Sequence, residues 1–327
     1  MRTFLSVLKN NYYRTVPRIG PLILITVVTL ASMLFAVYMT GVQQVKGHVV
    51  VVSANPSSAD LPKSSRLLDI TVLPEKPPYS EMVKQRYDAY VTPSKNGAYQ
   101  IETLRSEDYK KMILLLLNNP DAQIPADQTD RGVGVNIIGF MMMFVLMLAF
   151  ANLYAFADDK EQGQLSRIAA SPTSFGCYLT AHCVYGLSFL LPEFLLLVIL
   201  KQIGWNIGFT ILQYAGLMAV LGFLGISFAL LLNTLIRKPD NANMLGNSVT
   251  VLTSVLAGSF YSFSKNNTVL DRVIRLLPQK AILDFAQALQ NGAGWRNAGS
   301  ILYAVLFSLA LFVVSCSVLR RMYVKRT

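Results

Sequence analysis

The residues best placed to act on something else form one short island, Ala157 to Pro172, reading A-D-D-K-E-Q-G-Q-L-S-R-I-A-A-S-P between two long apolar runs. Asp158 and Asp159 suit the first turn of a helix, where carboxylates meet the positive end of the helix dipole. Ser171-Pro172 suits its end. On such a helix Glu161 and Leu165, four residues apart, share a face. A charged helix of this kind breaks no bonds; it offers a handle that a second protein can grip. The alternative is a solvated connector whose charges only enforce topology.

No catalytic constellation accompanies the island. The chain has no Gly-Lys dipeptide, hence no G-x-x-x-x-G-K-[ST] nucleotide loop, and it has neither a G-x-S-x-G elbow nor H-E-x-x-H. Two histidines and three cysteines, Cys177, Cys183 and Cys316, give no metal cluster and no disulfide framework. No catalytic residue, metal or cofactor is therefore expected in this polypeptide.

Glu193 lies deep within an apolar run, where an unpaired charge costs about 2.5–3.5 kcal/mol on insertion scales. It must face protein or water. A place on a substrate route would satisfy it, and so would a partner in Lys201 or in a base of residues 265–296. Met143, Phe144 and Met147, beside Phe140, Met141, Met142 and Phe150, offer the soft surface used for varied apolar ligands. Consecutive methionines cannot all point one way, so lipid-facing or packing roles are the alternative.

The elements that must position these residues are membrane helices. Of 327 residues 53% are hydrophobic and only 14% charged, against about a quarter in soluble domains. Uncharged runs at 19–40, 132–157, 241–264 and 297–319 are each long enough to cross a hydrocarbon core of about 30 Å. Two more spans lie at 173–200, broken at Pro192-Glu193, and within 202–236, with Trp205 as an interfacial anchor. Gly216, Ala219, Gly222, Gly225 and Gly246 permit close helix approach.

Residues 1–18 place Phe4, Leu5, Leu8 and Tyr12 on one helical face and Arg2, Ser6, Lys9 and Asn10 on the other. They read as an amphipathic interfacial helix with its basic side toward anionic headgroups, or as a solvated leader; they lack the form of a cleavable signal peptide. Residues 41–131 read as a small α+β domain, with β-prone runs at His48–Ser53, Leu68–Leu73, Ala89–Thr92 and Tyr99–Leu104 and helix-compatible stretches at Tyr79–Tyr87 and Ser106–Asn118. It can sit as a cap over the first two spans. Residues 265–296 form two short helices meeting near Pro278, lying on the surface or dipping partway into the bilayer.

The expected fold is thus an α-helical polytopic membrane protein: six transmembrane helices, an N-terminal interfacial helix and a small extracellular α+β domain. Segments 1–18, 158–172, 237–240 and 320–327 together carry twelve Lys/Arg and four acids, whereas the short connection on the other side carries Lys201 alone. By the positive-inside rule both termini and the island are cytoplasmic. Residues 41–131 balance eleven bases with eleven acids, so the net charge of +11 is topological. No basic stripe with interleaved aromatics is present, and nucleic acid is not an expected partner.

The island resembles the cytoplasmic loop of ABC-2-type exporter permeases: an acidic residue, glycine, a polar residue and leucine, an arginine two residues on, then Ser-Pro. Glu161, Gly163, Leu165, Arg167, Ser171 and Pro172 occupy those places. Leu277-Pro278 followed by Leu283-Asp284-Phe285 resembles the proline-containing external helices before the last span. The six-span plan is similar to the branch with a large extracellular domain between its first two helices. The resemblance implies that Asp159 and the loop residues form a coupling helix docking on an ABC ATP-binding subunit, where ATP and Mg would reside. It implies a second permease subunit, identical or related, and outward movement of amphiphilic drugs, antimicrobial peptides or lipids, hence multidrug resistance. The chain would work in a bacterial plasma membrane among membrane lipid. A surface receptor anchored by its spans, with no transport activity, is the alternative.

Overall fold

A computed structural model describes residues 2–42, 47–52, 68–84, 86–93, 99–104, 107–118, 131–170, 175–260 and 268–324. It divides into two units, residues 1–38 with 131–327, and residues 39–130.

Helix α1 (Arg2–Thr15) is followed by a 3-10 turn, Val16–Arg18, and by α2 (Ile19–Val42). Pro17 within the turn has no N–H to donate and fixes its own φ, which suits a corner between two helices.

In the smaller unit, strands β1 (Gly47–Val52), β2 (Leu68–Leu73), β3 (Ala89–Pro93) and β4 (Tyr99–Thr103) form one sheet in the order β2-β1-β3-β4. β1 runs parallel to β2 and β3, and β4 is antiparallel to β3. Parallel strands need both faces covered, and the valines of β1 supply both. Val49 and Val51 pack with Ile113, Leu116 and Leu117 of α4 (Glu107–Asn118), while Val50 packs with Met82 of α3 (Tyr79–Val83) and Tyr90. The expected α+β unit is present with its strands in the expected places.

The larger unit continues with α5 (Val133–Asn152), α6 (Tyr154–Glu161), α7 (Gln164–Ala170), α8 (Phe175–Ser188), α9 (Leu191–Gln202) and α10 (Ile211–Leu235). It ends with α11 (Pro239–Ala257), α12 (Thr268–Arg275), α13 (Pro278–Gln290) and α14 (Ala298–Leu319), the last running into a π-helical turn, Arg320–Val324. α10 is the central post, packed against α5, α8, α11 and α14. Gly225 allows its backbone against Ala149 and Leu146, and Gly246 of α11 accepts the Phe150 ring. Gly216 and Ala219, expected in the same role, face away from such contacts.

Five segments among the described residues are long and apolar enough to cross a membrane: Phe4–Thr40, Val133–Glu161, Phe175–Gln202, Ile211–Leu235 and Gly294–Tyr323. This is a polytopic membrane protein. The remaining expected span corresponds to α11, whose 19 residues reach about 28 Å. Asn241, Asn243, Asn247, Ser248, Thr250 and Ser254 keep α11 less apolar than the other five; residues 261–264 lie outside the described residues. Pro192 opens α9 after a break at 189–190, as expected. The fourth span starts later than expected, because Thr210 and Gln213 form a reciprocal capping box at the head of α10.

Candidate functional site

The island folds as two short helices rather than one. Gln162 and Gly163 turn the chain between α6 and α7, their amides bonding the carbonyls of Asp158 at 2.9 Å and Lys160 at 3.1 Å. Gly163 has φ of 72°, a left-handed conformation that glycine adopts at no steric cost. The turn separates Glu161 from Leu165. Glu161 is exposed, while Leu165 is fully buried in a cluster with Phe156, Phe175 and Tyr178. The expectation that the two share a face is overturned by that glycine.

The first charges of the island point inward. Asp159 is 2% exposed, and its carboxylate is held from two helices. Arg14 of α1 brings Nη1 to 2.7 Å from Oδ1, and Tyr178 of α8 donates its hydroxyl to Oδ2 at 2.6 Å. Arg14 also bridges to Asp158 at 3.3 Å. His182, a turn beyond Tyr178, packs edge-on to that ring at 4.5 Å and fills the core beside Phe156.

Lys160 donates to the carbonyls of Asn233 at 2.7 Å, Thr234 at 2.5 Å and Ile236 at 3.0 Å. The first two belong to the last turn of α10 and the third to its C-cap, where carbonyls lack intrahelical donors and the dipole is negative, so a cation is favoured. Tyr154 donates to Asp240 in the first turn of α11 at 3.2 Å, and the Arg18 guanidinium lies 4.6 Å from the Tyr154 ring centre. One helix of eight residues, α6, is thus bolted to α1, α8, α10 and α11.

The later residues point outward. Glu161, Gln162, Gly163, Ser166 and Arg167 are exposed. Glu161 and Arg167 form no ion pair among the described residues. Ser171 and Pro172 lie outside the described residues. No local pattern marks Arg14, Tyr178, Lys160, Tyr154 and Asp240 as joints of this site, because their partners lie 19 to 145 positions away along the chain.

The other candidates are dispersed. Glu193 is wholly buried in the first turn of α9, and neither carboxylate oxygen has a hydrogen-bond partner among the described residues. Among the described residues the expected partners lie elsewhere: Lys201, Arg272, Arg275 and Arg296 are exposed, and Lys280 pairs with Asp284 at 2.6 Å. A charged carboxylate there would carry a desolvation cost that no neighbour offsets. Met143, Phe144 and Met147 are half-buried on a side of α5 outside the main apolar core, whereas Met141 and Met142 are buried within it. Pro278 is buried at the start of α13, confirming the junction of two short helices. In α12, Val269 and Val273 are exposed and Ile274 is buried.

Residues 82–316, well over half of the chain, match the model of a family described as ABC-2 family transporter protein. The matched stretch contains α6, α7, Glu193, Pro278 and Asp284. Among curated proteins none matches the chain.

Proposed function

The chain belongs to the ABC-2 family of transporter proteins and is a membrane permease of an ABC transporter, and from that premise we propose that it is the moving half of an ATP-driven exporter of amphiphilic molecules. The observation that carries the proposal is the division of the island. Its outer charges, Glu161 and Arg167, are exposed and form no ion pair among the described residues, while its root is bolted to four helices. A load applied at the tip would pass through these side-chain joints to α1, α8, α10 and α11.

In this reading a separate ABC ATP-binding subunit grips Glu161 and Arg167 and supplies the chemistry of ATP and Mg. Positive charge in the short segments supports a cytoplasmic position for the tip and both termini. With α11 as the sixth span, residues 41–131 and α12–α13 fall on the outer side. A second permease copy, identical or related, would cover the half-buried Met143, Phe144 and Met147, and an amphiphile would travel along that seam. Glu193 is the polar group on hand to meet a cationic cargo once the helices part.

Co-purification tests the proposal. Tagged permease should bring down a stoichiometric ATP-binding subunit, and Glu161→Lys or Arg167→Glu should release it while the permease stays in the membrane. A permease that purifies alone yet retains full biological activity would favour the receptor reading.

A further inference from the structure

Helix α1 and the turn after it bury polar side chains and leave several apolar ones exposed. Asn11 and Thr15 are buried, the Thr15 hydroxyl bonded to that of Tyr185, and Arg14 turns to Asp159. Leu5, Tyr13 and Val16 are 58%, 65% and 62% exposed.

Between this side of α1, the turn at Val16–Arg18 and the start of α2 lies a cavity of about 610 Å³. Leu5, Leu8, Tyr12, Val16 and Ile19 line it, with Phe189 from the break between α8 and α9. Tyr12 is fixed there: its ring stacks on Phe189 at 6.2 Å and meets Tyr185 edge-on at 5.1 Å, and its hydroxyl is bonded to Ser188 at 2.5 Å. The size falls within the roughly 300–1,000 Å³ of small-ligand sites.

Lys9 also lines the cavity. It is exposed, 5.6 Å from the Tyr13 ring centre, and has no ion pair among the described residues. Residues 1–18 contain no acid at all, and Arg14 and Arg18 are already engaged by Asp158, Asp159 and Tyr154. An apolar cleft lined by one ammonium that has no ion pair among the described residues matches a molecule with an apolar chain and an anionic head. We propose that the cleft holds an acyl chain of one anionic phospholipid, with its phosphate at Lys9.

The test needs neither ATP nor transport, so it stands or falls apart from the exporter reading. Full-length protein is placed in nanodiscs of equal parts phosphatidylglycerol and phosphatidylcholine, and retained lipid is counted by native mass spectrometry. One phosphatidylglycerol per chain should be retained in preference. Lys9→Gln should weaken retention about fivefold. Val16→Trp, filling the cleft from an exposed position, should abolish it, and Lys201→Gln should leave it unchanged. Equal retention of the two lipids overturns the proposal. So does retention that survives both Lys9→Gln and Val16→Trp, or a second copy of the chain cross-linked through Leu5→Cys in place of lipid.

Discussion

The two ends of α5 are held in opposite ways, and the 20 residues between them separate the two by about 30 Å. At the α6 end, long charged side chains make the joints: Arg14 to Asp159, Lys160 to the last carbonyls of α10. At the other end, backbones touch. A Cβ on Gly208 would stand 2.5 Å from the Gly134 nitrogen, and one on Gly139 would stand 2.4 Å from the Ser259 carbonyl oxygen. Polar groups there only finish the seal, with Gln290 accepting from the Val135 amide at 3.3 Å and Arg131 donating to the Gly258 carbonyl. Burial pulls the Arg131 guanidinium below its ordinary pKa, with Asp284 opposing the shift.

Long side chains can follow a displacement of an ångström or two by changing rotamer; backbones in contact cannot. In the proposed exporter, that difference would let the α6 end move while the glycine end serves as a fulcrum.

The largest effect should come from the fulcrum. Gly208 has φ of 83° and backbone against it, so Gly208→Ala should cost about 3–5 kcal/mol from left-handed strain and overpacking together. Thermal unfolding in detergent measures this, and an unchanged midpoint would mean that the far end has room after all. Next is the buried carboxylate. Asp159→Ala strips Arg14 and Tyr178 of their shared partner and should cost about 2 kcal/mol. In combination with Arg14→Ala the loss should be smaller than the sum, because the pair acts as a unit; strict additivity would show that the two do not communicate. Lys160→Met keeps the stem and removes the cation from the α10 terminus, for about 1 kcal/mol by the same unfolding measurement. Smallest is the tip, where Glu161→Lys should change stability by no more than about 0.5 kcal/mol.

Much of this architecture is legible in the sequence because it rests on local signals. Run length marks the apolar helices, Val49 to Val51 mark a strand buried on both faces, and Pro192 and Pro278 mark helix starts. Two further local signals mark boundaries: Gln162-Gly163 as a helix stop, and Thr210 with Gln213 as a capping box. The bolts of α6 were not legible at all. Nothing near Asp159 announces Arg14, and nothing near Lys160 announces the carbonyls of α10, since those contacts exist only after the helices pack. α11 shows the opposite limit: residues 241–264 read as a span because they lack charge, yet the asparagines and hydroxyls of α11 set it apart from the other five.

The central claim is that force enters at Glu161 and Arg167 and leaves through the joints of α6. Its most direct test is amphiphile-stimulated ATP turnover by the permease and its ATP-binding subunit in lipid, with Glu161→Lys and Arg167→Glu as the variants. Both variants should unfold at the wild-type temperature and lose the stimulation. Stimulation at the wild-type rate in both would contradict the account.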